Sequence, residues 1–327
     1  MRKKCPTANC SAPKGMCLKL MSHEHLKCDN WSKENSSALV PKVVKSKGKT
    51  ESKGLPWTGE PLQPEDLPII SERSAPLIIG MVGTADAGKT SYLGMLYTLL
   101  FNGRDIKNWS FSGSYTLSAW ETLAQYLKIK HDGSIEFPAP TPSHPEFYSL
   151  YHLALKSEGI FRDVLFADSS GEVFTAWSED IHDANADNAR WIYKNSSAFI
   201  FMVDSNALIE KRGQAKSEIV QVAEQLAANL NDRPVIVVWT KSDKAEEIKE
   251  KIKKSLEEDL LNIFPNATSI KVSNFPKKDK DQLCYENNLN VIVDLLNHLN
   301  KPSRINLEIS LEQANDHFID FKGRLHE

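Results

Sequence analysis

The chain has 327 residues, 41% of them hydrophobic and 25% charged, a balance suited to one large globular domain, alone or with one small companion. No run approaches the roughly 18 to 20 consecutive apolar residues of a membrane helix, and the N-terminus lacks the apolar core of a secretory signal, so a cytoplasmic protein without a membrane span is expected. The formal net charge is only -3, yet residues 1–60 hold 12 Lys/Arg against 5 Asp/Glu, so the basic character is confined to the front.

Residues 1–31 form a head containing Cys5, Cys10, Cys17 and Cys28, while Cys284 stands alone near the other end. In a reducing compartment, four clustered thiols suggest a metal site more readily than disulfides. Four thiolates could enclose one tetrahedral zinc and hold together a segment too short to bury much core. The spacing lacks a C-x2-C knuckle, so an iron–sulfur cluster or unliganded thiols remain alternatives, with His25 as the substitute if one cysteine is not a ligand. Residues 32–74 are rich in Lys, Ser and Pro and read as a linker. Its basic run, residues 42–53, suits a solvated linker; the sharper alternative, a contact with nucleic acid or an anionic membrane, lacks interleaved aromatics. Leu55 and Trp57 are the apolar side chains here that could dock on the following domain.

From residue 75 the pattern changes to short apolar runs separated by longer amphipathic stretches, which implies an α/β domain over residues 75–300. Strands are expected at 77–82, 147–155, 164–167, 198–203, 235–239 and 269–272. Helices are expected after Gly88 and at 210–229, 245–261 and 285–299. Only about nine residues separate the second and third strands, too few for a helical crossover, so these two should pair antiparallel. The expectation is a mostly parallel six-stranded sheet with one antiparallel edge strand and helices on both faces. A tail, residues 301–327, could carry one further short helix.

The first apolar run leads into Gly83-Thr84-Ala85-Asp86-Ala87-Gly88-Lys89-Thr90, and Ser91 onward has helical spacing. This is the strand, loop and helix context that a G-x-x-x-x-G-K-[ST] loop needs. Its glycines let the backbone curl so that successive N–H groups face phosphate oxygens, beside the positive end of the next helix. Lys89 would bridge β- and γ-phosphates, and the Thr90 hydroxyl would hold magnesium. Asp86 is the odd member: a carboxylate beside a triphosphate is repulsive unless it points outward or meets a cation.

The Pro-rich stretch 137–145 must be extended, and it precedes a strand as a switch loop should. Thr141 is its candidate for closing on magnesium and γ-phosphate; a stiff surface loop is the plain alternative. Asp168-Ser169-Ser170-Gly171 then ends an apolar run. An Asp there can support magnesium, and the Gly171 N–H can sense the γ-phosphate. For Glu172, next in line, two readings stand: a carboxylate that orients or deprotonates attacking water, or an exposed loop charge.

The run 234–239 ends in Thr240-Lys241-Ser242-Asp243. A carboxylate at that point accepts paired hydrogen bonds from guanine N1–H and its exocyclic amine, a pair adenine lacks, while the Lys241 stem packs over the base. Ser273 and Asn274, just past the last strand, suit a loop whose N–H groups meet the base oxygen.

Together these elements resemble the G-elements of the translation-factor-related and Ras-like class of P-loop GTPases. The Cys-rich head, the Pro-rich switch and the D-x-x-G-E sequence resemble, more narrowly, the double-GTPase family linked to bacterial conflict systems. The resemblance implies a GTP/GDP- and magnesium-binding enzyme that controls assembly with protein partners. No arginine finger is identifiable, although Arg162 and Arg190 lie near the relevant segments. A nucleotide-holding scaffold with little hydrolysis, signalled by Glu172 where Ras-like proteins have Gln, and an ATPase, disfavoured by Asp243, are the rivals.

Overall fold

A computed structural model describes residues 56–300, apart from 73, 105, 129–136, 138, 229 and 276–280. The four head cysteines, the basic run 42–53, Leu55 and the tail 301–327 therefore lie outside the described residues.

Seven strands form one sheet in the order β2-β3-β4-β1-β5-β6-β7. They are β1 (Leu77–Gly83), β2 (Ser110–Gly113), β3 (Ser149–Ser157), β4 (Ile160–Asp168), β5 (Ala198–Asp204), β6 (Val235–Thr240) and β7 (Thr268–Lys271). β1, β4, β5, β6 and β7 run parallel, and β3 is antiparallel to both β2 and β4. β3 alone thus runs against the other strands, as expected, but it is not the edge, because β2 covers its outer side. β2 was not foreseen: Ser-Phe-Ser-Gly is short, largely exposed and has no apolar alternation. The β3–β4 pair closes through Glu158 and Gly159, both with positive φ, which matches a tight hairpin of right-handed twist.

The nine α-helices among the described residues are α1 (Leu67–Ile70), α2 (Lys89–Phe101), α3 (Leu117–Tyr126), α4 (Gly171–Glu179), α5 (Asp187–Asn195), α6 (Ser205–Glu210), α7 (Gly213–Ala227), α8 (Glu250–Ile263) and α9 (Glu286–Leu299). One core unites α2, α3 and α9 on one face of the sheet through residues such as Leu96, Trp120 and Ile292. A second core carries α4, α5, α7 and α8 on the other face through Trp177, Ile192, Ile219 and Leu256. The helix expected over 210–229 is broken at Arg212, whose φ is 53°. The stretch expected over 245–261 is likewise divided, a 3₁₀ segment Ser242–Glu247 preceding α8.

Residues 56–72 lie on the domain. Leu62 forms a two-way backbone bridge with Leu150 of β3, N to O at 2.9 Å and 3.1 Å, and its side chain is buried in the second core beside Ile70. Trp57, one of the two side chains that could dock, is instead 73% exposed. Leu62→Ala should cost about 2–5 kcal/mol, the range for emptying a buried leucine site. A denaturant midpoint equal to that of the wild type would mean that the strap contributes nothing to the fold.

Candidate functional site

The phosphate- and base-site motifs gather at the carboxyl ends of the parallel strands, where crevices of open α/β sheets take ligands. β1 ends at Gly83, and the loop turns through Asp86 (φ 58°) and Gly88 (φ 85°) before α2 begins at Lys89. Lys89 is buried, and its Nζ donates to the Gly83 and Thr84 carbonyls, both at 3.1 Å. Burial lowers its pKa to about 8, against the opposing pull of Asp168 and Asp86. Asp86 itself is exposed, and Ser91 sits half-buried in the first turn of α2.

That lowered pKa has a sign that can be checked. Above pH 8 an increasing share of the free protein carries a neutral Lys89, and an arriving phosphate favours the ammonium form, so nucleotide binding must take up a proton. At pH 8.5, calorimetry in two buffers of different ionisation enthalpy should register proton uptake that fades below pH 7. No uptake at pH 8.5 would contradict the burial-driven shift.

Thr90, Thr141 and Asp168, 51 and 78 positions apart along the chain, meet at the start of α2. The Thr90 hydroxyl donates to Asp168 Oδ2 at 2.8 Å and lies 3.1 Å from the Thr141 hydroxyl. With the Thr90 proton committed to Asp168, Thr141 is the donor in that second contact. Asp168 is buried; burial raises its pKa, opposed first by Lys89 and then by the Thr90 hydrogen bond. Its Oδ1 has no partner among the described residues. Three hard oxygen ligands, one an orphaned carboxylate oxygen, fit a magnesium ion. A one-carboxylate site of this kind is compatible with there being no cluster of three or more His, Cys, Asp or Glu side chains among the described residues.

Gly171 opens α4, with Ser170 as its N-cap. A Cβ at Gly171 would fall 2.1 Å from Ala85 N and 2.3 Å from Thr84 O, so α4 begins hard against the phosphate loop. Glu172 is exposed in the first turn. Arg162 lies six residues before Asp168 on β4, roughly 20 Å away at the rise of a strand. Arg190 is engaged by the Ile181 and Asp183 carbonyls at 2.7 Å and by Asp187.

The third group joins β5, β6 and the phosphate loop. Thr240 Oγ1 donates to the carbonyls of Ala87 at 2.9 Å and Val203 at 3.2 Å. Lys241, with a left-handed backbone (φ 52°), donates from Nζ to the Asp86 carbonyl at 2.9 Å and to Asp204 Oδ2 at 2.8 Å. The Ser273 hydroxyl donates to Asp243 Oδ1 at 3.0 Å, and half-buried Asn274 follows. Asp204 was missed at the sequence level. It is buried, caps α6 by accepting from Asn206 N, and sits in register with Thr240. An Asp closing a wholly apolar strand beside a lysine-bearing loop was the available signal.

No helix among the described residues is long and apolar enough to cross a membrane. None of the curated proteins compared with the chain matches it. Among solved structures, the chain is similar to the Roco2 RocCORdC protein of Methanosarcina barkeri bound to GDP, with 16% identity and a TM-score of 0.36, over 75% of this chain and 51% of that one. It thus spans about half the length of that Roco chain. It is also similar to nucleolar GTP-binding protein 1 of Plasmodium falciparum, with 11% identity and a TM-score of 0.40, over 68% of this chain and 86% of that one. The sequence profile of the Double-GTPase 2 family matches residues 77–296, which is more than half of the chain and takes in every phosphate- and base-site residue named above, but not the head cysteines. The chain therefore belongs to the Double-GTPase 2 family of P-loop GTPases.

Proposed function

We propose that this chain binds GTP with magnesium, hydrolyses it to GDP and phosphate, and works as a switch for partner proteins. The observation that carries this reading is the junction of Thr90 with Asp168 and Thr141, which draws the phosphate loop, the D-x-x-G element and the Pro-rich loop onto one hydroxyl. Thr90, Asp168 and Thr141 would hold magnesium, which when bound neutralises charge on the β- and γ-phosphates. Lys89 exchanges its loop carbonyls for phosphate oxygens and balances charge on the transferred group. The Gly171 N–H, at the positive end of α4, donates to the γ-phosphate. Asp243 accepts from guanine, and Lys241, held by Asp204, spans the loop beside the base. Thr84, Ala87, Ser91, Ser273 and Asn274 complete the nucleotide surface.

The exposed side chain of Glu172 favours slow turnover, because a general base must lie within hydrogen-bond reach of the water. With Arg162 distant and Arg190 engaged, an activating cation would come from a partner. The double-GTPase resemblance supports a place in a multi-protein bacterial defence system, in the cytoplasm, and the four-thiol head is read as a zinc site that metal analysis of the purified protein would test. Nucleotide affinity and phosphate release for GTP and ATP, in the wild type and in Lys89→Ala, test the central reading. Magnesium-dependent release that persists in Lys89→Ala would sink it, and equal affinity for ATP would leave an ATPase in its place.

A further inference from the structure

Asn288 lies wholly buried in the first turn of α9, on no motif. Its Nδ2 reaches three main-chain carbonyls: Ser273 at 2.9 Å, Cys284 at 2.7 Å and Leu283 at 3.3 Å. Only an amide nitrogen can face three carbonyl oxygens, so the orientation of the side chain follows from its surroundings. The Oδ1 is left buried and without a partner among the described residues. A buried amide that leaves its oxygen unsatisfied is retained against a cost, which points to the loop it ties down rather than to its own packing.

That loop is the one beside Asp243. Ser273 is held by N to Leu283 O at 3.1 Å, and its hydroxyl reaches Asp243 Oδ1. Ser242 N donates to Val272 O at 3.0 Å, which ties the same stretch to the Thr240–Asp243 segment. On the far side, the hydroxyl of fully buried Tyr92, in the phosphate-loop helix, donates to the Asn288 carbonyl at 3.0 Å. One side chain therefore bonds the backbone of the loop that aims Asp243, and its own backbone is anchored to the helix that carries Lys89 and Thr90.

We propose that Asn288 is the positioning residue that sets base selectivity, by fixing Ser273 so that its hydroxyl orients the Asp243 carboxylate. The proposal rests on the reading that Asp243 receives guanine. Inosine nucleotides lack the exocyclic amine and so report the second of the two bonds to Asp243. Affinities for GDP, IDP and ADP are measured by calorimetry on the full chain for wild type, Asp243→Ala, Asn288→Ala, Ser273→Ala and the Asn288→Ala/Ser273→Ala double variant. Wild type is expected to prefer GDP to IDP by tenfold or more, about the value of one hydrogen bond to a charged group. Asn288→Ala is expected to reduce that preference to about threefold or less, and to add nothing further in the Ser273→Ala background, as coupled residues behave. Asn288→Ser, which keeps one donor, carries the same test if the alanine variant does not fold.

A residue that merely stabilised α9 would lower the melting temperature and leave the GDP/IDP ratio unchanged, and that result overturns the proposal. So do effects of Asn288→Ala and Ser273→Ala on the ratio that simply add. A guanine preference lost in Asp243→Ala but intact in Asn288→Ala overturns this proposal alone. Equal wild-type affinity for GDP and ADP overturns the guanine reading and this proposal with it.

Discussion

Asp243→Asn should turn a guanine-binding protein towards xanthine. The carboxylate offers acceptors only, and guanine presents two donors, N1–H and the exocyclic amine. An asparagine keeps one acceptor for N1–H but sets an N–H₂ against the amine, so one bond is lost and a donor–donor clash replaces it. Hydrogen bonds to a charged group are worth about 1.5–3 kcal/mol each, so GDP affinity should fall on the order of 10²-fold. Xanthine carries a carbonyl where guanine has its amine, and it matches the asparagine donor. Xanthine diphosphate should therefore bind the variant better than the wild type. The Ser273 hydroxyl, which now donates to Asp243 Oδ1, can donate to the asparagine oxygen or accept from its amide nitrogen, which limits collateral disorder. Titration of GDP and xanthine diphosphate against both proteins decides the matter: a uniform loss for both bases would place Asp243 in loop structure and away from the base edge.

The parts of this protein that were legible in its sequence share one property: their chemistry is set by residues adjacent along the chain. The loop Gly83 to Thr90 must curl because two glycines and a following helix leave it no other course, and it does, with Asp86 and Gly88 at positive φ. The buried parallel strands were equally plain, since β1, β5 and β6 are near-continuous apolar runs. Thr141 could be singled out because prolines on both sides exclude helix, and it meets Thr90.

What escaped depends on partners distant in sequence. β2 exists because β3 offers it a row of backbone groups, not because Ser110–Gly113 favours a strand. α4 begins on the glycine of a motif read as loop, and its apolar face, Val173, Phe174 and Trp177, becomes visible only when the second core is assembled. Leu62 and Trp57 illustrate the same limit. Both are large and apolar in a linker-like stretch, and the free backbone of Leu150 selects the smaller one. Asp204 and Asn288 carry no motif at all; their importance comes from what β6 and the loop after β7 bring to them.

Gly171→Ala should uncouple nucleotide binding from hydrolysis. The three atoms nearest the added Cβ, Ala85 N, Thr84 C and Thr84 O at 2.1 to 2.3 Å, all belong to the backbone. No side chain can swing aside, so the start of α4 must withdraw from the phosphate loop by more than an ångström to restore ordinary contact at about 3.5 Å. Overpacking of this kind costs about 1–3 kcal/mol of stability, which the two cores should tolerate. The larger effect falls on the reaction. A backbone donor aimed at charge that develops in the transition state is worth about 2.7–4 kcal/mol, so phosphate release should slow by roughly 10²- to 10³-fold once the Gly171 N–H is displaced. In the proposed site GDP is held by Lys89, Thr90, Lys241 and Asp243, which α4 does not carry, so where α4 gives way and the loop keeps its shape GDP affinity should fall far less than the rate of phosphate release. Single-turnover phosphate release set against GDP titration separates the two quantities. Release at the wild-type rate would show that the tight seat of α4 on the loop is packing alone, and a matching loss of GDP affinity would show that it shapes the loop itself.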